Sequence, residues 1–166
     1  MSVSLTSATG GSSGGASNSV FKIVAQASPT LPNTGTTAKT LMASFKIPAG
    51  SLGPTGILRI CPSWSCTNNA NNKTYTININ GTDLSTTFMA SSASSSAIFV
   101  MRNINAGVQV FASPGTSTGQ GNTSGATVKP AFDTTQDLTV NLYSTLSNAA
   151  DSVTLESYYA EAAYGI

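Results

Sequence analysis

Two stretches of the chain alternate apolar and polar residues: KTYTININ from Lys73, strictly, and DLTVNLYSTL from Asp137, interrupted only at Ser144. In an extended strand every second side chain shares a face. Tyr75, Ile77 and Ile79 therefore form one apolar face, and Thr74, Thr76 and Asn78 the other. Leu138, Val140, Leu142 and Leu146 do the same in the second stretch. A period of two over so many residues is incompatible with an amphipathic helix, which needs apolar residues three and four apart.

The rest of the chain continues the pattern. Val20–Ala25 is a short apolar run. TLMASFKI (Thr40–Ile47) puts Leu41, Ala43, Phe45 and Ile47 on one predicted face. PAGSLGPTG then gathers Pro48, Gly50, Gly53, Pro54 and Gly56 into a turn region. Ile57–Ser65 places Leu58, Ile60 and Trp64 together, and Asn80-Gly81 is a strong hairpin signal. Asp83–Met89, Ile98–Arg102 and Val108–Phe111 read as strands, with low-complexity SSASSSA between the first two. Ala126–Phe132 reads as an edge strand broken at Pro130. Ser152–Tyr164 is Ala-rich, but three tyrosines and the stripe Val153, Leu155, Tyr159, Ala163 favour a strand over a helix. Roughly eight or nine turn-linked strands predict an all-β fold, an antiparallel β-sandwich of jelly-roll-like kind.

Residues 1–19 are rich in Gly, Ser, Thr and Ala and predict a flexible arm, ordered only against a neighbouring subunit if at all. Residues 20–166 then form a single β-sandwich domain. Within it, the thirteen residues Ser113–Gly125 make a long polar loop.

Only 8% of the residues are charged, against about 25% in ordinary soluble proteins. Net charge is +1, and the seven basic residues are scattered, so there is no basic patch to hold nucleic acid. No apolar run approaches the ~20 residues that span a bilayer as a helix. The N-terminus lacks the basic and apolar regions of a secretory signal, which predicts a protein made in a host cytoplasm and used as made, without glycosylation, despite sequons at Asn72, Asn80 and Asn122. Low net charge does little to oppose self-association, which suits a protein that works within an assembly.

Catalytic chemistry finds little to work with. The chain has no histidine, so no Ser-His-Asp triad and no His-activated thiol. The six carboxylates show no spacing that pairs them. Cys61 and Cys66 lack the further ligands a structural zinc needs. On one strand they would lie roughly 16 Å apart at ~3.3 Å per residue, beyond the reach of a disulfide unless the chain turns sharply at Pro62. A non-enzymatic protein without cofactor or metal is expected.

The candidate binding feature is the asparagine cluster after Cys66, with four asparagines among positions 68–72. Asn68, Asn71 and Asn72, with Lys73 and the neighbouring aromatics Trp64 and Tyr75, form a possible ligand or receptor loop. Amides would bond sugar hydroxyls and an aromatic face would stack on a ring. The competing reading makes Trp64 a core residue and the asparagines a self-bonded hairpin loop.

The stretch IPAGSLGPTGILRI, followed by Trp64 and TNNANNKTYTININGT, resembles small β-sandwich domains of tailed-bacteriophage virion proteins. The matching positions are Leu52, Gly53, Gly56, Leu58, Arg59, Ile60, Trp64, Asn68, Asn71, Asn72, Lys73, Thr74 and Gly81. MRNINAGVQ (Met101–Gln109) resembles a later strand and turn of the same domains. The resemblance covers residues 40–110 and implies a virion structural protein, commonly a homo-oligomer and specifically a trimer. Its partners would be other virion proteins, such as the major capsid or tail proteins, with no nucleic acid and no membrane. Two locations compete. A capsid decoration or cement protein is favoured by the small size and the start at Met1, which leaves no fibre shaft. A tail-fibre or receptor-binding tip is favoured by the Asn-rich loop, which would meet a host glycan.

Overall fold

The computed structural model describes residues 21–111 and 128–166. The expected arm and the loop Ser113–Gly125 lie outside them. The described residues form eleven strands and no helix. In chain order these are β1 (Lys22–Ala27), β2 (Leu31–Thr34), β3 (Thr40–Ile47), β4 (Ile57–Cys66), β5 (Lys73–Ile79) and β6 (Thr82–Met89). They continue as β7 (Ser94–Ser96), β8 (Phe99–Asn105), β9 (Val108–Phe111), β10 (Leu138–Leu146) and β11 (Ser152–Ala163).

Two antiparallel sheets result, as the alternation predicted. The larger has the order β1-β11-β4-β8-β9, with β2 also on β11 and β7 also on β4. The smaller has the order β3-β10-β5-β6. β10 and β5 lie side by side in its middle, which explains why they carry the cleanest alternation in the chain. Leu138, Val140, Leu142, Leu146, Tyr75, Ile77 and Ile79 are all buried. The β5–β6 hairpin turns at Asn80-Gly81, whose φ angles of 48° and 85° are both positive, as a two-residue turn of this kind requires.

Aromatic rings bind the layers together. Trp64 of β4 stacks on Tyr75 of β5 at 5.4 Å between centroids. Tyr75 meets Phe99 edge-on at 6.1 Å, and Phe99 stacks on Phe111 at 6.3 Å. Farther along, Phe45 of β3 stacks on Tyr158 of β11 at 4.8 Å. Such pairs add about 0.5–1.5 kcal/mol beyond their burial.

Two predicted stripes break, and each breaks at a register shift. In β3 the pairing with β10 slips between Ala43 and Leu41. Ala43, Phe45 and Ile47 keep their predicted face, but Met42 turns inward and Leu41 is left 52% exposed. In β11 the pairing with β4 slips between Leu155 and Ser157, leaving Glu156 as the extra residue. From there the buried positions become Tyr158, Ala160 and Ala162, and Tyr159 faces outward. A bulge inserts one residue and so reverses the faces of everything beyond it.

Two short strands escaped the sequence reading. β2 contains Pro32, and β7 is three serines from the low-complexity run. Both are held by pairing with a long neighbour, β2 on β11 and β7 on β4. The expected edge strand over 126–132 is reduced, within its described part, to a single bridge between Val128 and Phe111. Beyond it the Gln109 side chain replaces strand pairing: its Oε1 accepts from Phe132 N at 2.8 Å and its Nε2 donates to Phe132 O at 3.0 Å.

Candidate functional site

β4 runs through Pro62 without a turn, so Cys61 and Cys66 stay on one strand and both are free thiols. Burial raises both thiol pKa values. Cys66 Sγ donates to the Ser92 carbonyl at 3.0 Å. Among the described residues no group of three or more His, Cys, Asp or Glu side chains could hold a metal ion.

The six residues of the candidate loop divide into two sets. Trp64 and Tyr75 are 2% and 1% exposed and stacked on each other, so neither ring presents a face to a ligand. The Tyr75 hydroxyl lies 3.2 Å from Ser95 Oγ. Lys73, expected in the ligand loop, is fully buried. Asn68 and Asn72 are exposed and Asn71 is half-buried.

The residue that organises the loop is Asn69, which the sequence reading passed over. Its Oδ1 accepts from Lys73 Nζ at 2.7 Å and from Asn71 N at 3.1 Å. Its Nδ2 donates to Asp151 Oδ1 at 2.7 Å. Its backbone carbonyl accepts from Lys73 Nζ at 3.3 Å and from Ser91 N at 2.7 Å. Asp151 is buried in the turn before β11. The Asn69 hydrogen bond holds its carboxyl below the usual carboxylate range against the opposing effect of burial; Asn71 and the Lys73 charge act in the same direction as Asn69.

Backbone bonds close the same end of the sandwich. Thr67 N donates to Ser152 O at 3.0 Å, and Ser147 N to Asn72 O at 2.9 Å. Ser152 N donates to Thr67 Oγ1 at 2.9 Å. The loop is thus bound to the β10–β11 turn and to the segment after β6. Its amides are spent on the protein rather than offered outward, except at Asn68 and Asn72.

Ion pairs form elsewhere too. Lys39 lies 2.6 Å from Asp83, Lys46 3.3 Å from Asp137 and Arg59 3.7 Å from Glu161. The Arg59 guanidinium stands over the Phe21 ring at 3.9 Å.

A different arrangement occupies the turn between β3 and β4. Gly50 and Gly53 have φ angles of 71° and 62°. The chain after β11 runs along this turn, with Gly165 N donating to Leu52 O at 2.9 Å and Thr55 Oγ1 donating to Ile166 O at 2.8 Å. The Tyr164 ring lies directly on Gly53, where an added Cβ would sit 2.7 Å from ring carbons. Asn103 Nδ2 holds the Gly53 carbonyl at 2.6 Å. Two hollows adjoin the ring, of about 360 Å³ and about 320 Å³, and both also touch Gly50.

No family model matches the chain, and no curated protein matches it. Among solved structures the chain is similar to dimeric latent PorU from Porphyromonas gingivalis, at 11% identity and a TM-score of 0.46. That match covers 93% of this chain and 14% of the other. A likeness of that degree carries no argument for fold or function.

Proposed function

We propose that this chain is a non-enzymatic structural protein of a tailed-phage virion surface, a capsid decoration or cement protein that assembles as a homo-oligomer, a trimer, against the major capsid protein. The observation that carries the choice is the inward wiring of the Asn-rich loop. Trp64, Lys73 and Tyr75 are buried, and Asn69 is committed to Lys73 and Asp151. A loop built this way stiffens one end of the sandwich and leaves little for a receptor. The charge-poor surface supports the same reading, since few ions need desolvating when subunits close against each other. The resemblance of residues 40–110 to virion β-sandwich domains supplies the setting.

A tail-fibre or receptor-binding tip is the second reading. What favours it is the pair of hollows that share Gly50, of about 360 Å³ and about 320 Å³, which leave room for a ligand.

Immunogold labelling of intact virions with an antibody to this chain tests the choice. Label spread evenly over the head is the expected result. Label confined to the tail end overturns the decoration reading in favour of the tip. Particles without label overturn both.

A further inference from the structure

The geometry points to a covalent modification that the chain performs on itself: an amide (isopeptide) bond between Lys73 Nζ and Asn69 Cγ, formed with loss of one ammonia and with Asp151 carrying the proton. The reaction needs no cofactor and no second substrate, and it is independent of a head or tail location. Until it occurs, the three residues remain the hydrogen-bonded bridge described above.

Nucleophile, electrophile and proton carrier already stand in line. Lys73 Nζ lies 2.7 Å from Asn69 Oδ1 and 3.3 Å from the Asn69 backbone carbonyl. The C=O bond adds ~1.23 Å, so Cγ lies within about 3.9 Å of Nζ. That is close to the ~3–3.5 Å of an attack geometry. On the far side of the same carboxamide, Nδ2 donates to Asp151 Oδ1 at 2.7 Å. The leaving nitrogen is therefore the atom that touches the carboxyl group. Asp151 Oδ2 is buried without a hydrogen-bond partner, which leaves it a seat for a proton.

The surroundings favour the uncharged product. Lys73 is the first residue of β5 and continues its core-facing stripe of Tyr75, Ile77 and Ile79. Its cross-strand partners are Leu146 and Met89, both buried. Taking an ammonium and a carboxylate out of water is costly, and the reaction leaves a neutral amide and a protonated Asp151 in their place. The Nζ–Cγ bond forms and the Cγ–Nδ2 bond breaks. Of the two protons that the ammonium gives up, one completes ammonia on Nδ2 and the other rests on Asp151; nothing is oxidised or reduced. An amine is a weak nucleophile when free, and a fixed contact with its target replaces the concentration it would otherwise need. The new ring closes residues 69–73, in the loop that carries the chain from β4 of the larger sheet to β5 of the smaller. It fixes that crossing covalently.

Intact-mass spectrometry of the purified full chain in denaturant is the test. The expected mass is one ammonia below that of the unmodified sequence, and fragmentation should place the loss on a branched peptide that joins residues 69 and 73. Trypsin should fail to cut after Lys73. Asn68→Ala, at the exposed neighbour, should lose the same ammonia, whereas Asn69→Ala and Lys73→Met should keep their unmodified masses. Asp151→Asn keeps the shape of the side chain but removes the proton carrier. With its fold checked by circular dichroism, it too should keep its unmodified mass. An unmodified mass for the parent chain overturns the inference, whether or not any variant folds. So does an ammonia loss that maps to Asn80-Gly81, where the side-chain amide can close on the backbone as a succinimide, or one that Asp151→Asn leaves intact.

Discussion

Lys73 and Asp151 are joined through a single carboxamide, that of Asn69, which accepts from Lys73 Nζ at 2.7 Å and donates to Asp151 Oδ1 at 2.7 Å. Both charged groups are buried, at 0% and 3% exposure. A carboxamide accepts from an ammonium and donates to a carboxylate at once, which an ionised carboxylate or ammonium cannot do, so neither aspartate nor lysine replaces asparagine here. Asn69→Ala strips both contacts and leaves two buried ions unbridged. It is expected to cost about 1–3 kcal/mol. Asn68→Ala, at an exposed position of the same loop, should stay within about 0.5 kcal/mol. Urea unfolding of the two variants compares them directly, and equal midpoints would show that the bridge contributes nothing.

The same bridge sets a pH dependence. The Asn69 hydrogen bond keeps the folded pKa of Asp151 below its ordinary value, which is about 3.9. A depressed carboxylate pKa adds stability that is fully present above the unfolded pKa and is lost as pH falls through the folded one. Stability from this group should hold from neutral pH down to about pH 5 and decline below about pH 4. Asp83 acts in the same window, held down first by its hydrogen bond from Lys39. Asp151→Asn should therefore make the acid limb shallower without abolishing it. Unfolding free energies at several pH values between 3 and 7 measure the slope, and an unchanged slope would remove Asp151 from the account.

Gly53 and Gly81 offer a controlled comparison of backbone and packing. Both have positive φ, 62° and 85°. A Cβ at Gly81 meets nothing within 4 Å, whereas one at Gly53 would lie 2.3 Å from the Gly165 carbonyl oxygen and 2.7 Å from the Tyr164 ring. Gly81→Ala should cost only the left-handed strain of about 1–2 kcal/mol. Gly53→Ala must add to that the displacement of the 164–166 segment, and so should be clearly less stable. Thermal unfolding ranks them; an equal loss would mean that the segment gives way freely.

How much of this was legible beforehand depends on whether a feature is local. β10 and β5 announced themselves because both sit inside a sheet, where alternation is enforced from either side. The inward turn of Met42 was not legible, because the bulge that causes it is a mismatch with β10, and nothing in TLMASFKI marks it. Tyr158 and Tyr159 exchanged faces for the same reason at Glu156. β7 was invisible because three serines have no strand pattern of their own; their strand is imposed by Ser63–Ser65 of β4. At the loop, composition flagged the asparagines but could not rank them. Asn69 differs from Asn68 only in what lies beside it, and Asp151 comes from 82 residues away. The seat of the Tyr164 ring depends on Gly53, more than a hundred residues earlier, and so had no local signature either.

The two cysteines give the last prediction. Both thiols are free, and burial is the first cause of their raised pKa values. The thiolate is the reactive form, and a buried thiol with a raised pKa supplies little of it. Cys61 is the more enclosed, at 6% exposure. Its thiol is hydrogen-bonded to Tyr159, which opposes the effect of burial without overcoming it. Cys66 is half-buried and donates to the Ser92 carbonyl. In the native protein at pH 8, iodoacetamide should therefore modify Cys66 slowly and Cys61 more slowly still, while both should react fully in denaturant. Air oxidation should leave no intrachain disulfide, because the strand holds the pair apart through Pro62. Peptide mass spectrometry after timed alkylation reads each site separately. Rapid native labelling of Cys61, or a Cys61–Cys66 crosslink, would mean that β4 opens at Pro62 and that the two sheets are less firmly joined than their packing implies.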